Sequence, residues 1–549
     1  MNKVVYGYYP YWVSGYEEME WELLSHVAWF AITMQPDGAA SDSNGWPSSW
    51  TGLVETAHEN DVRVDVTFTL FSSSGIETLV NSSVNRANAI ETIVNAVEAG
   101  GADGASIDFE GVPASAADGF VLFLAELREA FDASSSSDLQ ISVAGPAVDW
   151  SGAFDLTQIL PSIDVYFIMG YAYFWSGSSH AGPTGILLTD DFWRTYSYGS
   201  ELRSMAEASA MVDEAQRAKI VMGVPYYGRE WTTADDAIGS TTTGHEGAVT
   251  YTAARADLED PGVERWWDEG SLSPWYAFHD GAEWHQVYYD DEESLAWKYR
   301  FSLEQGLGGI GIWALQYDEG FSALWDELEF AFTEDFVPNE GDRDAPIPVS
   351  DFPHADSRDS SEMAAGGNFF NFYSCAEGVA EWGREFSYRV EVCHPGVLVA
   401  TVSGDDSGVD NDVHILSSLS EDACLVRGDE SATYDVEPGT YYVVVDTFVD
   451  NGVLHGGPFD LLLEGQGIPS PQCDPGQVCV AGECLYPDFD DGGVDGGDVD
   501  TDSDTSDLPD SGALCDGTGC GSEDSCGCST PGRARALSSG LTGLLVAAI

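Results

Sequence analysis

The stretch from residue 103 to residue 111, Asp-Gly-Ala-Ser-Ile-Asp-Phe-Glu-Gly, alternates polar and apolar side chains. If it forms a β-strand, Ser106, Asp108 and Glu110 share one face, because residues two apart point the same way. Ile107 and Phe109 then point to the other face. Carboxyl groups that face inward along an apolar strand are costly unless they are paired or used. The spacing therefore predicts either acid–base chemistry or a hydrogen-bonded polar plug.

Eight short apolar runs, separated by helical patterns, must hold this strand in place. Most runs are continuously apolar, as expected of parallel strands that are buried on both faces. Eight strand–helix units over about 330 residues predict an α/β fold, a (β/α)8 TIM barrel, with a doubly wound sheet as the alternative. In such a barrel Glu110 would fall at the carboxyl end of the fourth strand, on the face that carries active sites. The runs are Val4–Tyr8, His26–Met34, Val62–Thr69, Ala105–Phe109, Leu139–Ala144, Val165–Gly170, Ile220–Val224 and Gly309–Ala314.

The remaining chain divides where its composition changes. The interval between the seventh and eighth runs is too long for one crossover helix and contains alternating segments, which predicts a small β-rich insertion. After a barrel at residues 1–334 and a linker at 335–350, alternating runs predict an all-β sandwich at 351–467. The C-terminal parts are a Cys-rich module at 468–487, an acidic Asp/Gly-rich spacer at 488–513 and a cysteine-containing tail at 514–549.

The charge balance excludes some partners. The 549 residues include 94 acidic and 20 basic ones, a formal charge of −74. Phosphates would be repelled, so we expect no binding to nucleic acid and none to an anionic membrane through a basic patch. Residues 1–334 alone carry 53 acidic and 13 basic residues, a net charge of −40. Salt screens such self-repulsion, which fits a saline habitat.

Cysteine usage bears on location. All ten cysteines lie between Cys375 and Cys528. This pattern favours C-terminal domains held by disulfides in an oxidising compartment, with metal binding as the alternative. No charged and apolar leader segment precedes the first strand. The cysteines and the tail nevertheless favour an extracellular or cell-surface location.

Residues 103–111 resemble the DGxDxDxE signature of glycoside hydrolase family 18, the chitinase family. Four other segments are similar to motifs of that family and follow in its order: residues 7–12, 169–171, 223–229 and 308–313 on strands one, six, seven and eight. The resemblance covers residues 1–333. It implies a retaining glycosidase that cleaves β-1,4-linked N-acetylglucosamine polymers, chitin or chito-oligomers, by substrate-assisted catalysis.

The resemblance also implies a role for each site residue. Glu110 would protonate the glycosidic oxygen and then act as base toward water, while the acetamido oxygen of the substrate itself would be the nucleophile. Asp108 would hold the acetamido N–H and stabilise the oxazolinium ion, and Tyr171 would hydrogen-bond the acetamido oxygen. Trp313 would form the floor of the reacting subsite. No cofactor and no metal is implied. Further substrate-binding residues on the matching motifs are Tyr8, Ser106, Met169, Tyr227 and Arg229.

Two positions depart from the pattern of the family. The family usually has Asp where Ser106 stands, and Asp after the strand-six Tyr, where this chain has Ala172. Ser106 can donate a hydrogen bond to Asp108 but cannot share a proton as an Asp would. Both changes predict weakened or retuned catalysis, or a different sugar. A peptidoglycan-directed N-acetylglucosaminidase, a catalytically silent glycan-binding lectin and a structural surface protein therefore stay open.

The C-terminal third carries weaker resemblances. Residues 436–446 resemble the C-terminal prepeptidase domain of secreted bacterial enzymes. Cys526, Cys528 and the hydrophobic segment 537–549 resemble a bacterial C-terminal sorting tail, which implies attachment to the cell envelope. This segment is too short to span a bilayer as a helix. The expected partner of the chain is a polysaccharide or oligosaccharide.

Overall fold

The structure is a computed structural model of the chain. It describes residues 3–486 except 135, 137, 334–337, 362–365, 377–378, 380, 382, 405–407 and 451–452. The predicted acidic spacer at 488–513 and the predicted sorting tail at 514–549 lie outside the described residues. Within the described part, none of the helices has the combination of length and hydrophobicity that crossing a membrane requires.

Eight parallel strands form a closed barrel, which confirms the predicted fold class. Barrel strand 1 pairs with strand 2 on one side and with strand 8 on the other, and this closes the sheet. The short strand Ala40–Asp42 runs antiparallel beside barrel strand 2. Barrel strands 1 to 8 are Val4–Pro10, His26–Met34, Arg63–Thr69, Gly104–Asp108, Gln140–Gly145, Val165–Ile168, Ile220–Pro225 and Gly309–Trp313.

Helices surround the barrel because their apolar faces match the outer face of the strands. In Ala117–Asp132 the buried residues Phe120, Phe123, Leu124 and Leu127 recur at helical spacing. The α-helices are Thr51–Glu59, Ser73–Val80, Ser83–Gly100, Ala117–Asp132, Leu156–Ile159, Asp191–Arg194, Glu201–Ser209, Glu214–Arg217, Tyr251–Asp257, Glu292–Glu304 and Ala323–Thr333. Short 3-10 turns occur at Tyr16–Glu18, Trp21–Leu23, Ala114–Ala116, Leu160–Ser162 and Glu421–Ala423.

The barrel has two separate apolar clusters, one on each side of its wall. The larger lies between strands and helices, and it contains Ile107 and Phe109 of the fourth strand and its flank. Phe109 stacks on Phe123 of the following helix with the ring centroids 5.7 Å apart. The smaller cluster lies inside the barrel and contains Tyr8 and Tyr171. The alternation along strand 4 thus separates the residues that pack against helices from those that face the barrel interior.

The predicted insertion between barrel strands 7 and 8 is a five-stranded antiparallel sheet. It begins two residues after strand 7, so it extends from the carboxyl ends of the barrel strands. In spatial order its strands are Thr242–Thr250, Tyr227–Thr233, Trp284–Tyr288, Ser273–His279 and Trp266–Asp268.

Two β-sheets follow the barrel and enclose one apolar core. The first sheet contains, in spatial order, Ile347–Val349, Phe386–Val392, Gly439–Thr447, Asn411–Leu416 and Cys424–Gly428. The second contains His354–Asp359, Pro458–Gln466, Gly396–Ser403 and Ser431–Val436. Two small ribbons pair Val449–Asp450 with Val453–Leu454, and Val478–Val480 with Glu483–Leu485.

Among the described residues of the C-terminal region there are three disulfides. They join Cys375 to Cys424, Cys393 to Cys479 and Cys473 to Cys484. The sulfurs of Cys393, Cys473 and Cys484 lie within 4.8 Å of one another. Each of these sulfurs is already in a disulfide, so the structure favours the disulfide interpretation over metal binding. The Cys393–Cys479 bond fastens the last ribbon to the end of the sandwich strand Phe386–Val392.

The sandwich packs against the barrel at the amino ends of the barrel strands. Arg384 donates two hydrogen bonds to Glu304, at 3.0 and 3.2 Å, and both side chains are buried. Arg217, the last residue of the short helix Glu214–Arg217 that precedes strand 7, pairs with Glu421 at 3.2 Å. Helix Glu292–Glu304 leads into strand 8. The sandwich therefore lies at the end of the barrel opposite to Glu110.

Candidate active site

The fourth strand ends at Asp108, so Glu110 lies two residues beyond the strand and not at its last position. Gly111 follows with φ of 71°, in the left-handed region that glycine adopts without strain. Asp108 is 5% exposed and Ser106 is fully buried, while Glu110 is half-buried at the mouth. The two carboxyl groups thus belong to one face but differ in depth.

Burial raises the pKa of both carboxyl groups. For Asp108 desolvation is the cause, and for Glu110 desolvation comes first and the charge of Asp108 second. Two neighbouring carboxylates disfavour joint ionisation, so the pair retains a proton well above the usual range for Asp and Glu. Asp108 Oδ1 is buried and accepts no hydrogen bond from the described residues. The site therefore has both an acid that keeps its proton and an unused buried acceptor.

Among the described residues, the hydrogen-bond partner of the Ser106 side chain is Tyr8 and not Asp108. The Ser106 Oγ lies 2.9 Å from the hydroxyl of Tyr8 on barrel strand 1. The sequence could not show this, because Tyr8 approaches only when strand 1 closes the barrel. Ser106 therefore acts as a partner of Tyr8 beneath the acidic pair.

A second polar layer lies deeper inside the barrel and was not anticipated from the sequence. Asp65 on barrel strand 3 is 1% exposed. Its Oδ2 accepts hydrogen bonds from the hydroxyls of Tyr6, at 2.7 Å, and Ser142, at 3.1 Å. Burial raises the pKa of Asp65. The only sequence signal was a carboxyl group at an inward position of an apolar strand.

Tyr171, Tyr227 and Arg229 form the wall on the side of strands 6 and 7. Tyr171 lies three residues beyond barrel strand 6, and its ring meets that of Tyr227 edge-on at 6.1 Å. Arg229 is 6% exposed and its guanidinium lies 6.0 Å from the Tyr227 ring centroid. Its Nη1 donates to Nε2 of His245 at 3.4 Å, and no carboxylate among the described residues forms an ion pair with it. Arg229 is therefore a buried cation without an acidic partner in the described part of a strongly acidic chain.

Burial also raises the pKa of Tyr171 well above its usual value, with the charges of Asp108 and Glu110 adding to the effect. Its hydroxyl therefore stays protonated and can donate a hydrogen bond. Met169, two residues earlier, is half-buried and packs in the interior cluster with Tyr8 and Tyr171. Met169 thus supports the floor below these rings.

An aromatic strip leads from the barrel interior to the outer surface. The ring centroid of Trp313 lies 5.6 Å from that of Tyr8 and 4.9 Å from that of Phe30. The ring centroid of Phe30 lies 5.9 Å from that of Trp12, and the ring centroid of Trp12 lies 4.9 Å from that of Tyr11. Trp12 is 41% exposed. The sequence predicts Trp313 as a platform for a sugar ring. It does not show the exposed positions of Trp12 and Tyr11, which follow the first strand and depend on the fold.

The long connection after strand 6, residues 169–200, contributes two polar contacts that the sequence did not reveal. Thr184 Oγ1 accepts a hydrogen bond from the backbone N–H of Ala172 at 3.2 Å. The Tyr198 hydroxyl donates to the carbonyl of Ala172 at 3.0 Å. Ala172 is the position where the family pattern has Asp, and it directly follows Tyr171. Both contacts therefore act on the backbone next to the predicted acetamido ligand.

Comparison with known proteins shows the family to which the barrel is related. The family model of Glycosyl hydrolases family 18 matches residues 4–318. A protein of Caenorhabditis elegans described as a probable endochitinase is 28% identical over an alignment of 312 positions that covers 51% of this chain and 49% of that protein. Mouse chitotriosidase-1 is 25% identical over an alignment of 277 positions that covers 45% of this chain and 56% of that one. The chain thus matches about half the length of these relatives.

The fold has solved counterparts. The structure of a family 18 chitinase from Cycas revoluta in complex with (GlcNAc)3 superimposes with a TM-score of 0.53 at 18% identity. The match covers 60% of this chain and 99% of that one. This similarity concerns the fold, whereas the sequence match to the family model extends over more than half of the chain. The chain therefore belongs to glycoside hydrolase family 18.

Proposed function

We propose that the barrel is a retaining glycoside hydrolase that cleaves β-1,4-linked N-acetylglucosamine polymers, with chitin or chito-oligomers as substrates. One observation carries the proposal: Glu110 lies beside the buried Asp108 at the carboxyl end of strand 4, and its pKa is raised. A general acid must hold its proton at the working pH, and a carboxyl group does so near neutrality only when its surroundings raise its pKa. The similarity to an endochitinase and a chitotriosidase supports a chitin-type substrate.

The proposed reaction has two steps. In the first, Glu110 gives its proton to the glycosidic oxygen while the bond from that oxygen to C1 breaks. The carbonyl oxygen of the neighbouring acetamido group forms a bond to C1, which gives an oxazolinium ion. In the second step water attacks C1, its proton goes to the Glu110 carboxylate and the ring of the ion reopens. Two displacements at C1 leave its configuration retained.

Asp108 and Tyr171 would hold the acetamido group during these steps. Asp108 Oδ1 has no protein donor among the described residues, so it can accept the acetamido N–H. Its charge would stabilise the oxazolinium ion strongly, because the group is buried away from water. The protonated hydroxyl of Tyr171 would donate to the acetamido oxygen and orient it toward C1. This division of roles requires an N-acetyl group on the substrate.

The aromatic strip supports an extended substrate. Sugar rings present C–H faces that pack on aromatic rings, and the rings from Trp313 through Phe30 to Trp12 and Tyr11 form a continuous path out of the mouth. Such a path is longer than one sugar needs. We therefore expect longer N-acetylated oligomers to be cleaved with lower KM than the dimer.

Peptidoglycan is a second candidate substrate, and Arg229 is the observation that favours it. A buried guanidinium without a carboxylate partner is costly unless a ligand pairs with it. The lactyl carboxylate of a muramic acid unit would be such a ligand, and Arg binds carboxylates through two parallel hydrogen bonds. A neutral chitin chain offers only hydroxyl and carbonyl groups at this place. The two substrates are therefore distinguished by whether Arg229 matters more for the acidic glycan.

The test is a panel of substrates with product sizes measured. N-acetylated chito-oligomers, peptidoglycan and fully deacetylated oligomers are each incubated with the full chain and with the Glu110→Gln variant. We expect products from an N-acetylated substrate, none from the deacetylated one, and none from any substrate with Glu110→Gln. Efficient cleavage of the deacetylated oligomer would contradict substrate assistance. Binding to a glycan without any release by the native chain would instead identify a lectin.

We also propose an extracellular or cell-surface location. The three disulfides fit an oxidising compartment. Attachment to the cell envelope would require the C-terminal tail, which includes Cys526 and Cys528. Fractionation of cells that express the chain with and without residues 514–549 tests this part: we expect the native chain with the envelope and the truncated chain in the medium.

A further inference from the structure

The residue after Tyr171 has an unusual backbone conformation. Ala172 has φ of 64° and is 4% exposed. This left-handed region is disfavoured for residues with a Cβ, and glycine, asparagine or aspartate usually occupies it. A residue stays in such a conformation only when its surroundings hold it there. The contacts of Ala172 therefore decide how the preceding peptide, and with it Tyr171, is oriented.

Two side chains hold both polar groups of Ala172. Thr184 Oγ1 accepts from its N–H at 3.2 Å, and the hydroxyl of Tyr198 donates to its carbonyl at 3.0 Å. Thr184 is 1% exposed, so this contact is shielded from water. The carbonyl of Thr184 accepts from the N–H of Tyr173 at 3.1 Å. Thr184 is thus tied through both its side chain and its carbonyl to the segment that directly follows Tyr171.

The segment that carries Thr184 is itself anchored. The adjacent carbonyl, that of Gly185, accepts a hydrogen bond from Lys298 Nζ at 2.5 Å. Lys298 is fully buried and also pairs with Asp290 at 2.7 Å and Glu201 at 3.0 Å. Tyr198 packs on Tyr173 with the ring centroids 5.7 Å apart. These contacts give Thr184 and Tyr198 fixed positions from which they can hold Ala172.

We propose that Thr184 and Tyr198 are positioning residues that hold Ala172 in its left-handed conformation and thereby aim the Tyr171 hydroxyl at the acetamido oxygen of the substrate. The proposal rests on the proposed function for the role of Tyr171. In this proposal neither Thr184 nor Tyr198 touches the reacting atoms. We call these two hydrogen bonds, from Ala172 N–H to Thr184 and from Tyr198 to the Ala172 carbonyl, the Ala172 clamp. The clamp is needed because the side chain of Ala172 has no polar group that could hold its own backbone.

The consequence falls on turnover more than on substrate binding. Tyr171 would act on the acetamido oxygen when that oxygen attacks C1, so its position matters most in the transition state. A displacement of about 1 Å in such a group can cost about 100-fold in rate. The aromatic strip, which is formed by other elements, would still bind the sugar rings. We therefore expect kcat to fall while KM changes little.

The test compares five proteins: the full chain, Tyr198→Phe, Thr184→Val, Thr184→Ser and the control Tyr196→Phe. Tyr196 lies on the same connection, but its ring is tilted against that of His180 and meets that of Phe192 edge-on. The measurements are kcat and KM on an N-acetylated chito-oligomer, the affinity for a thiazoline that mimics the oxazolinium ion, and the melting temperature. Thr184→Ser keeps the hydroxyl acceptor, so it serves as the conservative rescue.

We expect Tyr198→Phe and Thr184→Val to lower kcat by about 10- to 100-fold, with KM within about twofold, and to weaken thiazoline binding by a similar factor. Thr184→Ser and Tyr196→Phe should behave like the native chain. Unchanged kcat in both variants, or a loss of kcat that Thr184→Ser shares, would overturn the proposal. If the native chain releases no product, the proposed function fails. The affinity for the thiazoline then tests the role of the clamp separately from catalysis. If Tyr198→Phe binds the thiazoline as tightly as the native chain does, the proposed role of the clamp is wrong.

Discussion

At the residue scale, a spacing of two places Asp108 and Glu110 on the same face of one chain segment, but the end of strand 4 gives them different surroundings. Asp108 is the last strand residue and is nearly buried, whereas Glu110 lies in the turn at the mouth. Glu110 can therefore meet a substrate oxygen and water in turn, and Asp108 can act only on a group that enters the barrel. These positions suit an acid–base residue and a charge-stabilising residue respectively.

Replacing Glu110 by Gln tests the first of these roles. Gln keeps the shape and most hydrogen bonds but has no proton to transfer, and general acid–base catalysis typically contributes about 10²- to 10⁴-fold. We expect kcat on an N-acetylated oligomer to fall by at least about that range while KM stays close to the native value. Glu59→Gln, on the outer helix Thr51–Glu59, is the matched control and should have native kinetics. Native turnover in Glu110→Gln would show that another group is the acid.

The pKa of Asp65 predicts a pH-dependent stability difference. Burial raises this pKa above its ordinary value of 3.8, so the folded state holds a proton that the unfolded state releases. Asp65 therefore costs stability increasingly as pH rises above 3.8. In Asp65→Asn the side chain is neutral at every pH, and its carbonyl can still accept from Tyr6 and Ser142. The melting temperature of the variant relative to that of the native chain should therefore be higher at pH 7 than at pH 4. An equal difference at both pH values would contradict the assignment.

At the element scale, the strands of the barrel could be predicted because each is a local apolar run, and the inward side of strand 4 followed from simple alternation. The contacts made when distant strands meet could not. Ser106 pairs with Tyr8, which is 98 positions away in the chain, and no local pattern shows which inward hydroxyl it meets. The left-handed backbone of Ala172 was equally hidden, since Thr184 and Tyr198, which bond its N–H and its carbonyl, lie 12 and 26 positions away in the chain. The pairing of Cys393 with Cys479 likewise needs the folded sandwich.

The buried cluster of Lys298, Glu201 and Asp290 joins three elements behind the ends of strands 6 and 7. Lys298 lies on the helix Glu292–Glu304, Glu201 begins the helix Glu201–Ser209 and Asp290 ends the insertion. Gly170 lies against this cluster, because a Cβ there would come within 3.3 Å of Glu201 Cγ. The cluster therefore supports the backbone on which Tyr171 is carried.

Replacing the buried Lys298 should destabilise the fold strongly. Lys298→Met leaves two buried carboxyl groups without their partner, and breaking a buried ion pair in this way costs about 3–5 kcal/mol. We expect the free energy of unfolding, measured by denaturant titration, to fall by that amount. The double variant Lys298→Met/Asp290→Asn removes one of the stranded charges and should recover part of the loss, as a double-mutant cycle would show. A loss below about 1 kcal/mol for Lys298→Met would mean that the cluster contributes little to the fold.

At the scale of the whole molecule, the net charge of −40 over residues 1–334 makes stability depend on salt. The Debye length falls from about 30 Å at 0.01 M to about 8 Å at 0.15 M, so repulsion across the barrel is largely screened over this interval. We expect the melting temperature to rise from 0.01 M to 1 M NaCl, with most of the rise complete by about 0.15 M. A flat curve, or a rise confined to molar salt, would show that charge repulsion does not limit stability.

The junction between barrel and sandwich leads to the last prediction, because its charges are buried and not solvent-exposed. Arg384 and Glu304 are each 1% exposed and make two parallel hydrogen bonds, and Arg300 adds a third to the same carboxylate at 2.7 Å. If the two parts separated, Arg384 and Glu304 would lose each other. We therefore expect one calorimetric transition for the native chain. Arg384→Met should lower the free energy of unfolding by about 3 kcal/mol and shift the whole transition, whereas Arg389→Met, at a more exposed pair on the sandwich, should change it by less than about 0.5 kcal/mol. Glu110 lies at the other end of the barrel, so kcat below the transition should be unaffected. Two separate transitions, with the barrel transition unmoved by Arg384→Met, would show instead that the sandwich is an independent module.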